Sequence, residues 1–249
     1  RGSVDGIMVH SPRTADPRVA LLRKIGLPFV VHGRVSQDDE SYDWVDMNNR
    51  RAFRRATDFL LDLGHRRIAL VNGPERLDFA QRRLRGYRDA LAARGMTADP
   101  GLIHCGEMTD AHGFAAARRA LDLPDPATAM LASSLVTTLG IKRALDDAGL
   151  QTPGDVSVIT HDDALSYLCN GDDVPVFTAT RSSIRLAGRL CAERLIELIE
   201  TPGKPPCHTL LEAHLTVGGS TGPAPGPRPA RRQEGIAISP VAASDDGMR

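Results

Sequence analysis

The residues with the most chemical content close a short apolar run: Asp155 to Asp163 reads Asp-Val-Ser-Val-Ile-Thr-His-Asp-Asp. Val156, Val158 and Ile159 have the β-branched character of a buried strand. Pro153-Gly154 punctuates its start, and His161, Asp162 and Asp163 stand where it must leave the sheet. Carboxylates at that exit can accept hydrogen bonds from a ligand, and open α/β sheets gather their ligands at the carboxyl ends of strands. The plainer alternative is a solvated strand-to-loop exit. A second stretch supplies the donors that carboxylates lack. Leu63-Gly-His-Arg-Arg-Ile-Ala-Leu-Val-Asn-Gly-Pro74 reads as a strand and a polar loop, and Phe79-Ala-Gln-Arg-Arg-Leu-Arg-Gly-Tyr87 as a helix with arginines in its first turns. A guanidinium is a planar fork of donors that suits paired oxygens. By spacing alone, however, Arg82, Arg83, Arg85 and Arg88 read as one helix with an exposed basic face.

Other chemistries find less support. His161-Asp162-Asp163 could suggest a metal, but no second His or Cys stands at ligand spacing, so no metal is expected. Gly218-Gly-Ser-Thr-Gly222 spells the nucleophile elbow G-x-S-x-G, yet a proline-rich segment follows and no His occurs after Ser220. There is no P-loop and no G-x-G-x-x-G, so no nucleotide cofactor and no enzymatic activity are expected. Lys plus Arg equals Asp plus Glu at 31 each, and a formal net charge of +0 argues against a dominant nucleic-acid-binding surface. Cysteines 105, 169, 191 and 207 form no C-x-x-C pair, which fits reduced thiols and a cytoplasmic location. No signal-peptide pattern opens the sequence and no apolar run nears the roughly 20 residues that cross a bilayer, so no membrane partner is expected.

The elements that must position these residues alternate. Gly6 to His10 and Pro28 to His32 read as strands around a helix at Arg18 to Ile25, a right-handed βαβ unit. Asn49 can cap a helix carrying Phe53, Ala56, Leu60 and Leu63, which Gly64 ends. Strands follow at Arg67 to Asn72, Leu102 to Cys105, Thr128 to Ala132, Val156 to Thr160 and Thr178 to Thr180. Helices lie around Leu84 to Leu91, Ala111 to Leu121 and Leu135 to Ala148, and a last one is capped by Ser182 or Ser183. Such alternation predicts an α/β fold of parallel sheets flanked by helices. The composition of Pro223 to Arg249 cannot form a core, so a disordered tail is expected there.

These phrases, together with Gly149-Leu-Gln-Thr-Pro-Gly-Asp-Val-Ser157, resemble the effector-binding core of the lactose/galactose-repressor family of bacterial transcription regulators. That core is similar to the sugar-binding periplasmic proteins, and the resemblance covers roughly Val4 to Thr221. It implies a two-lobed fold with three crossings, near Asp46 to Asn48, Thr180-Arg181 and Cys207 to Leu210. The first lobe would be 1 to 46 plus 181 to 208, the second 47 to 180 plus 209 to 222. It also implies that a helix-turn-helix, a hinge helix and two strand-helix units precede Arg1, making this a fragment that acts as a homodimer and meets operator DNA only through the missing part. Arg83 and Asp162 match the family's ligand-holding arginine and aspartate. Ser134 stands where family members carry the first residue of an Asn-Asp pair, and Met108 where some place a stacking aromatic. Phe79 could wall the pocket, and Ser11 and His32 end first-lobe strands. The expected effector is a mono- or disaccharide, with the text around His32-Gly-Arg34 and Thr180 to Ile184 most similar to the branch sensing α-glucosides. The alternative is a periplasmic sugar-binding protein of a transporter.

Overall fold

The computed structural model describes residues 4–35, 41–161, 164–165, 168–171 and 173–226. Two sheets organise them. The first has the order β1-β2-β3-β11, from strands Ile7–His10 (β1), Phe29–His32 (β2), Asp43–Met47 (β3) and His208–Leu211 (β11), all parallel. The second has the order β12-β10-β7-β6-β4-β5, from Ile68–Asn72 (β4), Ile103–Cys105 (β5), Ala129–Ala132 (β6), Ser157–His161 (β7), Thr178–Arg181 (β10) and His214–Thr216 (β12). Only β12 runs antiparallel there. Ala164–Leu165 (β8) and Leu168–Cys169 (β9) form a separate small hairpin.

Helices Pro17–Ile25 (α1), Asn49–Asp62 (α2), Asp78–Ala93 (α3), Asp110–Leu121 (α4), Leu135–Asp147 (α5) and Ile184–Glu200 (α6) cover the faces. The alternation along β4 shows how. Ile68 and Leu70 pack into the core beneath α2 and α3, with Phe53, Leu60 and Tyr87. Ala69 and Val71 pack on the opposite face beneath α4 and α5, with Ala116, Ile141 and Leu145. Successive strand residues point to opposite faces, so a sheet buried on both sides must be apolar throughout. The first sheet repeats the scheme with α1 on one face and α6 on the other.

The predicted strands and helices of the second lobe recur within a residue or two. Asn48, not Asn49, caps α2 by accepting the Arg51 N–H at 3.2 Å, which leaves Asn49 as the first helical residue and its side chain turned to other work. The first connection between the sheets falls within the expected Asp46 to Asn48, and the second and third lie a few residues further along than expected. β11 completes the first sheet, with His208 opposite Trp44 and Leu211 opposite Met47, so the third crossing is at Glu212–Ala213 rather than Cys207 to Leu210. Arg181 still belongs to β10, which puts the second at Ser182–Ser183, and the first is Asn48. Asn48 Nδ2 donates to Glu212 Oε1 at 2.9 Å, tying the first crossing to the third.

Ser220 of the G-x-S-x-G motif is 2% exposed; its hydroxyl accepts from Thr178 N–H at 2.9 Å and donates to the Val158 carbonyl, so it stitches loop to sheet. Beyond it the chain stays docked longer than composition suggested. The Gly222 carbonyl accepts from Ser157 Oγ at 3.2 Å and lies 3.1 Å from His65 Nε2, and Ala224 N–H donates to the Leu63 carbonyl at 2.8 Å. Residues 227–249 of the expected tail lie outside the described residues. Because the composition of that segment cannot form a core, truncation after Gly226 is expected to leave the thermal midpoint unchanged. Truncation after Thr221 removes these contacts of Gly222 and Ala224, together with the Gly222 N–H bond to Ser157 Oγ at 3.0 Å, and should lower it by several degrees, at about 1 kcal/mol for each lost bond.

His65 supplies a pH test. It is fully buried among Thr128 Oγ1, Ser157 Oγ and the Gly222 carbonyl, and burial holds its pKa below the usual 6.5. The folded state then binds fewer protons than the unfolded state below pH 6.5, so this contribution is intact above that value and is lost as pH falls toward the folded pKa. Burial depresses His104 and His112 in the same direction. We expect the thermal midpoint to drop as pH is lowered from about 7 to about 5.5, with a shallower drop in His65→Gln. An identical slope in that variant would show that His65 contributes nothing to the drop.

Candidate functional site

A cavity of about 310 Å³ lies between the two sheets, and both contribute strand or helix ends to it. From the first come His10 at the end of β1 and Ser11 after it, His32 at the end of β2 with Gly33 and Arg34 after it, and Asp46 and Met47 of β3. From the second come Asn49 of α2, Asp78, Phe79 and Arg83 of α3, Met108, and Ser133 and Ser134 before α5. Parallel strands thus deliver their carboxyl ends, and helices their amino ends, to one space between the sheets.

Arg83 is 4% exposed. Its Nε donates to Asn49 Oδ1 at 2.8 Å and its Nη1 to the Ser133 carbonyl at 2.9 Å, and its guanidinium lies over the rings of Phe53 and Phe79, at 5.0 and 4.6 Å from their centroids. This corrects the exposed basic face: Arg82 is also buried, ion-paired with Asp78 one helical turn back. Arg85 is half-buried and only Arg88 faces solvent. The sequence could not separate these neighbours because the turn after Asn72 sets the helix phase. There Gly73 leaves the room that Phe79 fills; a Cβ on it would stand 2.9 Å from the ring.

Six of the seven predicted ligand residues, Arg83, Phe79, Ser134, Met108, Ser11 and His32, line this one cavity. Asp162 lies outside the described residues, as does Asp163. Ser134 is the N-cap of α5, its hydroxyl accepting from Thr137 N–H at 3.2 Å, so the serine found in place of an asparagine serves the helix as well as the cavity. Met108 is 38% exposed and Ser11 has φ 47°.

Sequence reasoning missed a buried set of charges beneath the same cavity. Arg34 Nε donates to Asp46 Oδ2 at 2.8 Å, and its guanidinium rests on Trp44, 4.8 Å from the ring centroid. Burial pushes the carboxyls of Asp46 and Asp78 above the ordinary range, against the pull of Arg34 on the first and Arg82 on the second. The signal was a strand, Asp43 to Met47, that places Asp46 at its end, but it has too few apolar residues to stand out. Among the described residues no side chain or main-chain group is a hydrogen-bond partner of the buried Ser133 hydroxyl. No group of three or more His, Cys, Asp or Glu side chains that could hold a metal occurs among the described residues.

The cavity is bridged on one side by main chain. Asp78 N–H donates to the Pro12 carbonyl and Thr14 N–H to the Arg76 carbonyl, each at 3.1 Å, and Arg13 pairs with Leu77 as an antiparallel bridge. Ser11 and Ala15, at the ends of this strap, both have positive φ, 47° and 56°.

Comparison with known proteins agrees with this architecture. Residues 57–221 match the family of the periplasmic binding protein-like domain. The chain is 45% identical over 224 residues to the HTH-type transcriptional regulator AglR of Rhizobium meliloti (strain 1021), a match covering 90% of this chain and 63% of that regulator. It therefore spans less than two thirds of that relative's length. A solved transcriptional regulator CelR–cellobiose complex superposes with a TM-score of 0.79 at 35% identity, over 88% of this chain and 66% of the other. A LacI-family regulatory protein from Chloroflexus aggregans superposes with a TM-score of 0.75 at 34% identity, over 89% of this chain and 78% of its own. The chain belongs to the LacI family of regulators and carries that family's periplasmic binding protein-like domain.

Proposed function

We propose that the chain is the effector-sensing domain of a bacterial transcriptional regulator and that a mono- or disaccharide is its effector, held between the lobes. The observation that carries this is the cavity wall itself. It sets the ring of Phe79 beside the buried guanidinium of Arg83, carboxylates at Asp46 and Asp78, and the unpaired hydroxyl of Ser133. A sugar offers hydroxyls that donate and accept together with an apolar ring face, so it complements such a wall. Arg83 and Asp162 are the principal anchors; Phe79, Met108, Ser134, Ser11 and His32 shape the remainder. The relatives are named as transcriptional regulators, which favours this reading over a transporter's binding protein. No chemical step on the ligand and no cofactor is involved.

In this reading the whole protein works in the cytoplasm as a homodimer and meets its operator through a part outside these residues. The effector acts by population shift, binding one arrangement of the lobes better than the other. Calorimetric titration of this chain with cellobiose, maltose, trehalose, sucrose and their monosaccharides tests the binding step. At least one should bind and alter the emission of Trp44, the sole tryptophan, through Arg34 on its ring. Absence of binding by all of them would overturn the sugar assignment.

A further inference from the structure

Two consecutive asparagines mark the first crossing and turn to opposite work. Asn48 is the single residue between β3 and α2, and its side chain faces Arg51 and Glu212. Asn49 opens α2 with its side chain inward; it is 2% exposed and lines the cavity. Its Oδ1 accepts from Arg83 Nε at 2.8 Å, and its Nδ2 donates to the Met47 carbonyl at 3.1 Å. Met47 ends β3 in the first sheet, whereas Arg83 belongs to α3 beside the second. One amide thus joins a strand of one lobe to the cavity arginine of the other. A guanidinium only donates and a carbonyl only accepts, so the group between them must offer an acceptor to the first and a donor to the second. An amide does both, whereas a carboxylate there would set two acceptors against each other at Met47. The amide is also planar, by the same resonance as a peptide group. Its oxygen and nitrogen cannot turn independently, so the direction of the Met47 carbonyl constrains where the acceptor for Arg83 lies.

We propose that Asn49 is a positioning residue of the effector site: it orients Arg83 for the ligand and, through the Met47 carbonyl, couples that orientation to the first crossing. This rests on the sugar-effector reading above. A ligand that engages Arg83 fixes its Nε–H, the amide follows its donor, and the Met47 carbonyl at the end of β3 is drawn with it. Coupling of this kind is reciprocal, so a lobe arrangement that turns Met47 also presents or withdraws the arginine. The Ser133 carbonyl and the rings of Phe53 and Phe79 hold Arg83 as well, but all three belong to the second lobe and move with it. Asn49 is the hold that reaches the first sheet. Trp44, the sole tryptophan, stands in the same strand as Met47, so its emission reports on β3.

The test compares Asn49→Ala, which removes both bonds, with Asn49→Asp, which keeps the acceptor for Arg83 and loses the donor to Met47. The probes are cellobiose, maltose, trehalose, sucrose and their monosaccharides, and one measurement needs no sugar. In nitrogen-15 spectra of the ligand-free chain, solvent exchange of the Arg83 Nε–H should be about tenfold faster in the alanine variant and no faster than wild type in the aspartate variant. Affinity for the tightest-binding sugar should fall about tenfold in Asn49→Ala and no more than about threefold in Asn49→Asp. Sugar bound to the aspartate variant should give less than about half of the wild-type change in Trp44 emission, because the tie to β3 is cut. A side chain that only stabilised the fold would lower the melting temperature without separating affinity from emission. Wild-type affinity or unchanged exchange in Asn49→Ala overturns the positioning role, as does an aspartate variant that binds as weakly as alanine. A wild type that binds without any change at Trp44, or a full change in Asn49→Asp, overturns the coupling. If alanine prevents folding, the aspartate variant decides: binding retained with the emission change lost supports the proposal, and any other pairing overturns it. If the wild type binds none of the sugars, the effector reading fails, and the Nε–H exchange still decides whether Asn49 holds Arg83.

Discussion

Arg83→Ala will lose effector binding and lower the melting temperature together. The affinity loss should be about 30- to 1,000-fold, the roughly 2 to 4 kcal/mol of charge-assisted bonds to a ligand. An arginine on the exposed basic face that spacing alone suggested could be lost with little effect on folding, but Arg83 is buried. Removing a guanidinium that is 4% exposed leaves Asn49 Oδ1 and the Ser133 carbonyl without these donors and strips the cation from two phenylalanine rings. That should cost a further 2 to 4 kcal/mol or so of stability, about 5 to 15 °C in a chain of this size. Asp162→Ala should match the affinity loss, and the double variant should lose less than the sum, because a ligand without one anchor is no longer oriented for the other. Thermal denaturation beside calorimetry checks both halves. Wild-type affinity in Arg83→Ala would sink the site assignment, and an unchanged melting temperature would sink the structural role.

The largest purely structural effect should come from three glycines that carry no chemistry. A Cβ on Gly140 would stand 2.0 Å from the Asp110 carbonyl oxygen, and one on Gly113 2.1 Å from that of Thr137, so α4 and α5 touch backbone to backbone. Gly86 stands in the same relation to Arg50, a Cβ on it falling 2.1 Å from that carbonyl oxygen where α3 meets α2. These contacts are with main chain and no side chain can swing aside, so each alanine must push two helices apart. The cost should be about 3 kcal/mol or more, at the upper end of overpacking effects. Gly188, inside α6, has nothing within 4 Å of the added methyl, and alanine there should stabilise by about 0.5 to 1 kcal/mol through helix propensity alone. Melting temperatures of the four alanine variants separate the two cases, and equal shifts in all four would refute the close-contact explanation.

What could be read beforehand divides along physical lines. The second lobe was legible because its strands are buried on both faces and announce themselves as apolar runs: Ile68 to Val71 and Ala129 to Ala132 needed no partner to be recognised. β3 and β11 were not legible. Asp43, Asp46 and His208 interrupt them, and their strand character comes from pairing, β3 with β2 and β11 and β11 with β3 across most of the chain's length. The third crossing was misplaced for that reason. Of the site, residues at helix starts and strand ends could be named from position, and Arg83 could be picked out through its resemblance to a family motif. Arg34, Asp46 and Asp78 could not, since their importance comes from burial of opposite charges next to one another, which no local pattern encodes. Nor does a sequence show that one amide, that of Asn49, meets a donor from one lobe and a carbonyl from the other.

The strap from Ser11 to Ala15 has a kinetic consequence. Its bonds to the Arg76–Asp78 segment are main chain to main chain, so they have the same strength whatever ligand lies beneath them. For a ligand to arrive or depart on that side, the bridge must come undone and re-form, a step that takes place before the incoming molecule has touched Arg83. Chemically different effectors using that route would therefore share one ceiling on their association rate, reached at high concentration, and would differ almost wholly in how long they stay. The domain would measure a sugar by its residence time, with the strap as a clock common to all of them.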